Sequence, residues 1–256
     1  MEELKNKIVR VFSMVLMFVF TNFAFAQVEI SKETTKEKKA KEKKKKAERE
    51  KDNSTSVFAI ANWSYTSRKL IENDGLYGKP LGEREFEKSS NAWSYELGIR
   101  NKIHPNISWE GGIAFTQNAE KYSFEEVDTS YNYRTKYMYI AMPLKLYYTY
   151  GESFKLIAGG GIVPQMFVGY RQNVEYTTAE NETITEELKT KVGYAPNSFV
   201  LSAVVNLGAQ VNLGGHWSLL IIPEYKVQLT SSYSKQDRYK HYGRSLGVNF
   251  GLIVDL

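Results

Sequence analysis

The sequence predicts an all-β fold: an eight-stranded antiparallel transmembrane β-barrel, preceded by a Lys-rich N-terminal tail that is disordered or helical. Three observations carry this expectation. Apolar and polar residues alternate with period 2 over stretches of 11 to 15 residues. Such stretches outrun an ordinary strand of about 5–6 residues, and they suit an oblique crossing of a bilayer, which needs roughly 9–11. The connections between stretches are alternately short and long, as in barrels with short turns at one end and long loops at the other. Charged residues fall on one face of each stretch and leave the other face apolar.

The chain begins with a segment that does not belong to the fold. Lys5, Lys7 and Arg10 form a basic region, Val11 to Phe20 an apolar run, and Ala24-Phe25-Ala26 an A-x-A cleavage site, so residues 1–26 read as an export signal. An N-terminal anchor is the alternative, but the run is shorter than the roughly 20 residues a spanning helix needs. Residues 27–54 form a linker built on Lys32 to Lys51, KETTKEKKAKEKKKKAEREK, which has almost nothing to bury and stays solvated. It reads as a periplasmic spacer, or as an electrostatic contact to lipid headgroups, cell-wall polymer or a periplasmic protein.

The basic balance belongs to that tail. Of the formal charge of +5, residues 1–26 supply three basic against two acidic residues and residues 27–52 eleven against seven, while the rest holds twenty of each. A nucleic-acid interface therefore has no electrostatic footprint in the folded part. The absence of cysteine excludes disulfides, thiolate ligands and a lipoprotein anchor.

Residues 55–256 are expected to form the barrel, with strands at Ser56–Thr66, Ala92–Ile103, Ile107–Gln117, Lys136–Tyr148, Phe154–Val168, Phe199–Asn212, Trp217–Leu229 and Gly243–Asp255. His104-Pro105-Asn106, Thr149–Ser153 and Leu213–His216 are the short, periplasmic turns. Ser67–Asn91, Asn118–Thr135, Gly169–Ser198 and Thr230–Tyr242 are the long outer loops. The hairpin Tyr137–Val168 is the clearest unit: Met138, Ile140, Met142, Leu144 and Leu146 share the lipid face of one arm, and Phe154, Leu156, Ile162, Met166 and Val168 that of the other. Trp93, Tyr95, Trp109, Tyr147 and Trp217 are expected to form aromatic girdles at the two interfaces. The first strand is the least clear, being nearly apolar on both sides. Pro143, Pro164 and Pro223 fall inside strands and call for bulges or rim positions, since a closed barrel needs its N–H groups paired. Gly159-Gly160-Gly161 lacks the GK[ST] ending of a phosphate loop and marks close approach or bending.

The interior of an eight-stranded barrel is just wide enough for its own side chains. Glu96, Arg100, Glu110, Lys145, Glu224 and Lys226 are expected to form a polar network in the lumen, the acids neutralising the bases. A narrow ion pathway is the alternative. His104 and His216 fall in short turns and His241 in a long loop, without metal-ligand spacing and without a Ser nucleophile on a shared face. No catalytic residue, metal or cofactor is expected. The long loops carry the capacity for recognition: Gly169–Ser198 is acidic, and the last loop mixes Lys235, Arg238, Lys240 and Arg244 with tyrosines, a composition able to contact lipopolysaccharide phosphate. The expected state is a monomer in the bacterial outer membrane, in contact with its lipid.

Tyr139-Ile140-Ala141-Met142-Pro143-Leu144-Lys145-Leu146, a Y-x-x-x-P-L-x-L strand, and Ala158-Gly159-Gly160-Gly161, an A/G-G-x-G strand, together resemble the Bacteroidetes outer-membrane β-barrel family, which includes PorT-like and small OmpA-like barrels. The resemblance covers about residues 55–256. It implies an outer-membrane location and transfers no catalytic residue.

Overall fold

The computed structural model describes residues 55–72, 86–126, 129–177, 182–189, 196–234 and 239–256. The expected export signal and tail lie outside them. Ten strands follow in chain order: β1 (Thr55–Glu72), β2 (Glu87–His104), β3 (Ile107–Glu126), β4 (Thr129–Ala141), β5 (Leu144–Gly151), β6 (Phe154–Thr177), β7 (Thr183–Leu188), β8 (Phe199–Gly214), β9 (Trp217–Gln228) and β10 (Tyr239–Asp255).

The pairing closes on itself. β1 lies between β2 and β10, β10 pairs with β9, β9 with β8, β8 with β6, β6 with both β4 and β5, and these with β3, which returns to β2, every pair antiparallel. β4 and β5 are two halves of one stave, so the ring has eight staves, as the alternation predicts. β7 stands outside the ring, paired only with β6. The β2–β3, β5–β6 and β8–β9 turns share one end with Thr55 and Asp255, and the long connections share the other. Gly151 (φ 117°) and Gly214 (φ 99°) supply the left-handed backbone that two of the short turns require.

The outward surface explains the length of the staves. Leu97, Ile113, Leu207 and Leu246 are each more than 60% exposed, and they belong to a continuous apolar belt. Water does not tolerate so large an apolar surface on a monomer; lipid does. On β1 the belt runs from Val57 to Tyr65 and on β4–β5 from Met138 to Tyr148. Nine to eleven residues at about 3.3 Å each, tilted near 40°, rise on the order of 25 Å.

Above the belt the alternation inverts, which the sequence reading did not anticipate. Lys121, Arg134, Lys136 and Arg171 point outward while Tyr122, Tyr137 and Tyr170 are buried inside. The staves therefore continue past the bilayer as a soluble-type barrel. β1, β3 and β6 extend to Glu72, Glu126 and Thr177, well into the expected loops.

The prolines resolve differently. Pro143 interrupts its stave between β4 and β5, and Met142 N–H donates across the gap to the carbonyl of Pro164 on β6 (2.9 Å). Pro223 takes neither a bulge nor the rim. It sits within β9 opposite Val248, and β8–β9 pairing skips Leu207 and Gly208 beside it with no change of register. A Cβ at Gly159 would stand 2.4 Å from the Tyr147 ring, so the glycine run makes room for inward side chains of the neighbouring stave.

Candidate functional site

Two clusters of buried polar groups occupy the barrel, one at membrane depth and one at the outer mouth. The deeper cluster grows from the ladder itself, where Arg100 lies opposite Glu110 and Glu110 opposite Lys145 on adjacent inward positions of β2, β3 and β5. Arg100 forms an ion pair with Glu110, its Nε donating to Oε1 at 2.6 Å, and its Nη1 donates to Gln210 Oε1 at 2.9 Å. Lys145 Nζ donates to Glu96 Oε2 at 2.7 Å. Glu224 accepts from Asn249 Nδ2 at 3.0 Å, while Lys226 points inward beside it, without an ion pair among the described residues. The six residues expected in the lumen thus lie together. The charges sit against an apolar layer of Phe58, Ile60, Ile157, Leu220, Ile222 and Ile253.

One expected girdle residue is misplaced. Tyr147 does not face lipid: it is 2% exposed, its hydroxyl accepts from Asn206 Nδ2 at 2.6 Å, and Arg100 stands over its ring. Its position in β5 puts it in phase with Lys145, so alternation alone sends it inward. Trp93, Tyr95 and Trp217 are on the outer surface, as is the half-buried Trp109.

The mouth cluster was not visible in the sequence. Arg68, on the part of β1 taken for a loop, donates from Nη1 to Glu120 Oε1 (3.0 Å), from Nε to Glu87 Oε1 (3.1 Å) and from Nη2 to the Tyr133 hydroxyl (2.9 Å). Glu120 also accepts from Tyr137 (3.1 Å), and its second oxygen meets His241 Nε2 at 3.0 Å. His241 is not in a loop; it lies on β10, 1% exposed, with the rings of Tyr233 and Tyr137 at 4.8 and 5.0 Å. His104, the last residue of β2, and His216, in the β8–β9 turn, are exposed. Burial pushes the Tyr133 hydroxyl up to about 12, Arg68 opposing the rise and Glu120 adding to it. Burial pulls on Arg68 in the opposite sense, yet Glu120, Tyr133 and Glu87 hold its pKa above the ordinary value. One signal could have found Glu120: continuing the inward phase of Glu110, Thr116 and Asn118 along β3 lands on it.

The strand connections close over this cluster. Asn197 Nδ2 donates to the carbonyls of Ser231 and Tyr233 (2.8 Å each), and Ser232 N–H donates to the His241 carbonyl. Tyr139 donates to Ser232, and Ser232 to Gln228, tying the cover to the wall.

No protein-family model matches the chain. No curated protein matches it in sequence. Solved structures with a similar course are outer-membrane barrels. Neisserial surface protein A is 8% identical with a TM-score of 0.37, over 77% of this chain and 96% of that one. The outer membrane protein OprG from Pseudomonas aeruginosa is 11% identical with a TM-score of 0.45, over 80% and 97%. The attachment invasion locus protein of Yersinia pestis is 15% identical with a TM-score of 0.32, over 78% and 99%. The barrel here is given by its own closed pairing.

Proposed function

We propose that the protein stands in a bacterial outer membrane as a closed barrel that works through its surfaces, passing no solute. The observation that carries this reading is the filled lumen. Arg100–Glu110 and Lys145–Glu96 bridge inward positions beside an apolar cluster, and the cavities beside them hold about 30 Å³ each, room for about a single water. In planar bilayers the purified full chain gives no discrete conductance steps. Stable unitary channels, altered by Glu110→Gln, would overturn the reading in favour of a narrow pore.

The same proposal includes export by the N-terminal signal, a periplasmic tail, a monomeric state and kinship with the Bacteroidetes PorT-like barrels, whose strand motifs residues 139–146 and 158–161 resemble. It assigns no catalysis and no nucleic-acid partner; His241 is enclosed between tyrosine rings beside Glu120. Deleting residues 27–54 is expected to release a cross-linked periplasmic protein or cell-wall polymer while the barrel still inserts; unchanged cross-linking would make the tail a spacer.

A further inference from the structure

Just above the apolar belt, one side of the barrel stacks cation on cation. Lys88 lies directly opposite Lys121, Lys121 opposite Arg134, and Lys136 opposite Arg171, all on the outward face of β2, β3, β4 and β6. Like charges placed opposite each other across a sheet are destabilising, so this row asks for an anion. The protein provides little of one. Arg171 pairs with the exposed Glu187 of β7 at 3.0 Å. Arg134 donates to the backbone and side-chain oxygens of Asn91, and its Nε is buried without a partner. Among the described residues, Lys88, Lys121 and Lys136 have no ion pair. Partial burial, with Arg134 and Arg171 close by, holds the Lys136 ammonium below its ordinary pKa. The carboxylates of Glu175 and Glu125 stand farther out, two and four pairs above the Lys121–Arg134 pair.

Two further features say what kind of anion fits. Lys136 is two residues from Met138, where the belt ends, so the row lies at the level of lipid headgroups. A groove of about 620 Å³ opens beside it, lined by Lys121 and Arg134, by the carboxamides of Asn91, Asn132 and Asn173 and, at its outer end, by Glu125 and Glu175. Lysine and arginine match phosphate, and carboxamides match sugar hydroxyls. The outward cations Lys69 of β1 and Lys240 and Arg244 of β10 also stand above the belt, but they do not line that groove.

We propose that this face binds the phosphorylated sugar headgroup of an outer-leaflet glycolipid, its phosphate between Lys121, Arg134 and Lys136 and its sugar in the carboxamide groove. The inference rests on the outer-membrane reading above and adds a specific ligand site to it.

The test uses the full chain in phosphatidylcholine nanodiscs doped with a bisphosphorylated lipid A-type glycolipid, the same lipid dephosphorylated, or neither, with native mass spectrometry counting retained glycolipid. The phosphorylated lipid is expected to be retained and the dephosphorylated one lost. Lys121→Gln with Lys136→Gln, which removes no ion pair within the protein, lowers retention about tenfold, Lys121→Arg with Lys136→Arg preserves it, and Lys69→Gln on β1 leaves it unchanged. Equal retention by the Gln double variant overturns the site. Displacement by millimolar inorganic phosphate overturns the lipid assignment. A chain that inserts but shows no preference defeats only this inference, whereas a chain that fails to insert defeats the membrane reading as well.

Discussion

The two buried clusters use the same chemistry and are built in different ways. At membrane depth, Arg100, Glu110 and Lys145 are neighbours in one ladder, so the register of three adjacent staves is enough to pair them. At the mouth, Arg68, Glu120 and Tyr137 come from β1, β3 and β4, and His241 of β10 joins them only once the β1–β10 pair has closed the ring, with Tyr233 added from a connection. The charged ladder of the deep cluster follows from local pairing, whereas the Glu120–His241 contact of the outer one follows from closure. They should therefore fail differently.

The largest effect is expected at depth. Glu110→Ala leaves Arg100 buried with Gln210 as its partner, and an uncompensated buried charge costs about 3–5 kcal/mol. Urea unfolding of the barrel in micelles, followed by its heat-dependent gel mobility, measures this. The double variant Arg100→Met with Glu110→Met is expected to regain most of the loss, because a matched apolar pair avoids desolvating two ions.

A smaller effect is expected at the mouth. Glu120→Gln weakens the contacts to Arg68 and His241, yet Arg68 retains Glu87, so the cost should be about 1–3 kcal/mol. The change should fall on the cover, as faster proteolysis in residues 229–234 with the embedded staves intact. If this variant unfolds the whole barrel as readily as Glu110→Ala, the distinction between the clusters collapses.

The smallest effect is a pH response confined to the mouth. The Tyr133 hydroxyl stands at about 12 against an ordinary 10. A raised folded pKa means that its contribution is complete below about pH 10 and is lost as pH rises toward 12. Tyrosinate absorbance and cover proteolysis should change together in that window, and Tyr133→Phe should remove the coupled part. Loss of the deep cluster first would reverse the order.

This contrast also explains what could be read from the chain alone. Eight staves, the inward Lys145 and the outward Leu97 and Leu144 follow from period-2 alternation with apolar residues outside. That rule holds only where lipid is the solvent. Beyond Tyr65 and Met138 the solvent is water and the sign reverses, so Arg68 and Tyr133 looked like loop composition, and β7 was lost among the acids of the third long loop. Tyr147 failed for a narrower reason: an aromatic near a strand end suggests an interface, but its parity is that of Lys145. The mouth cluster depends on closure, which no single stretch of sequence records.

The reversal of sign has a consequence for where the barrel can float. Vertical displacement toward the cell interior by one residue pair would drag the charges of Lys121, Lys136 and Arg171 into hydrocarbon, at a cost rising from near zero at the interface to about 2–4 kcal/mol each at the midplane. Displacement outward would strip lipid from Leu246, Leu207 and their neighbours. The chain thus carries its own waterline, written as the residue at which charged and apolar side chains exchange sides of the wall.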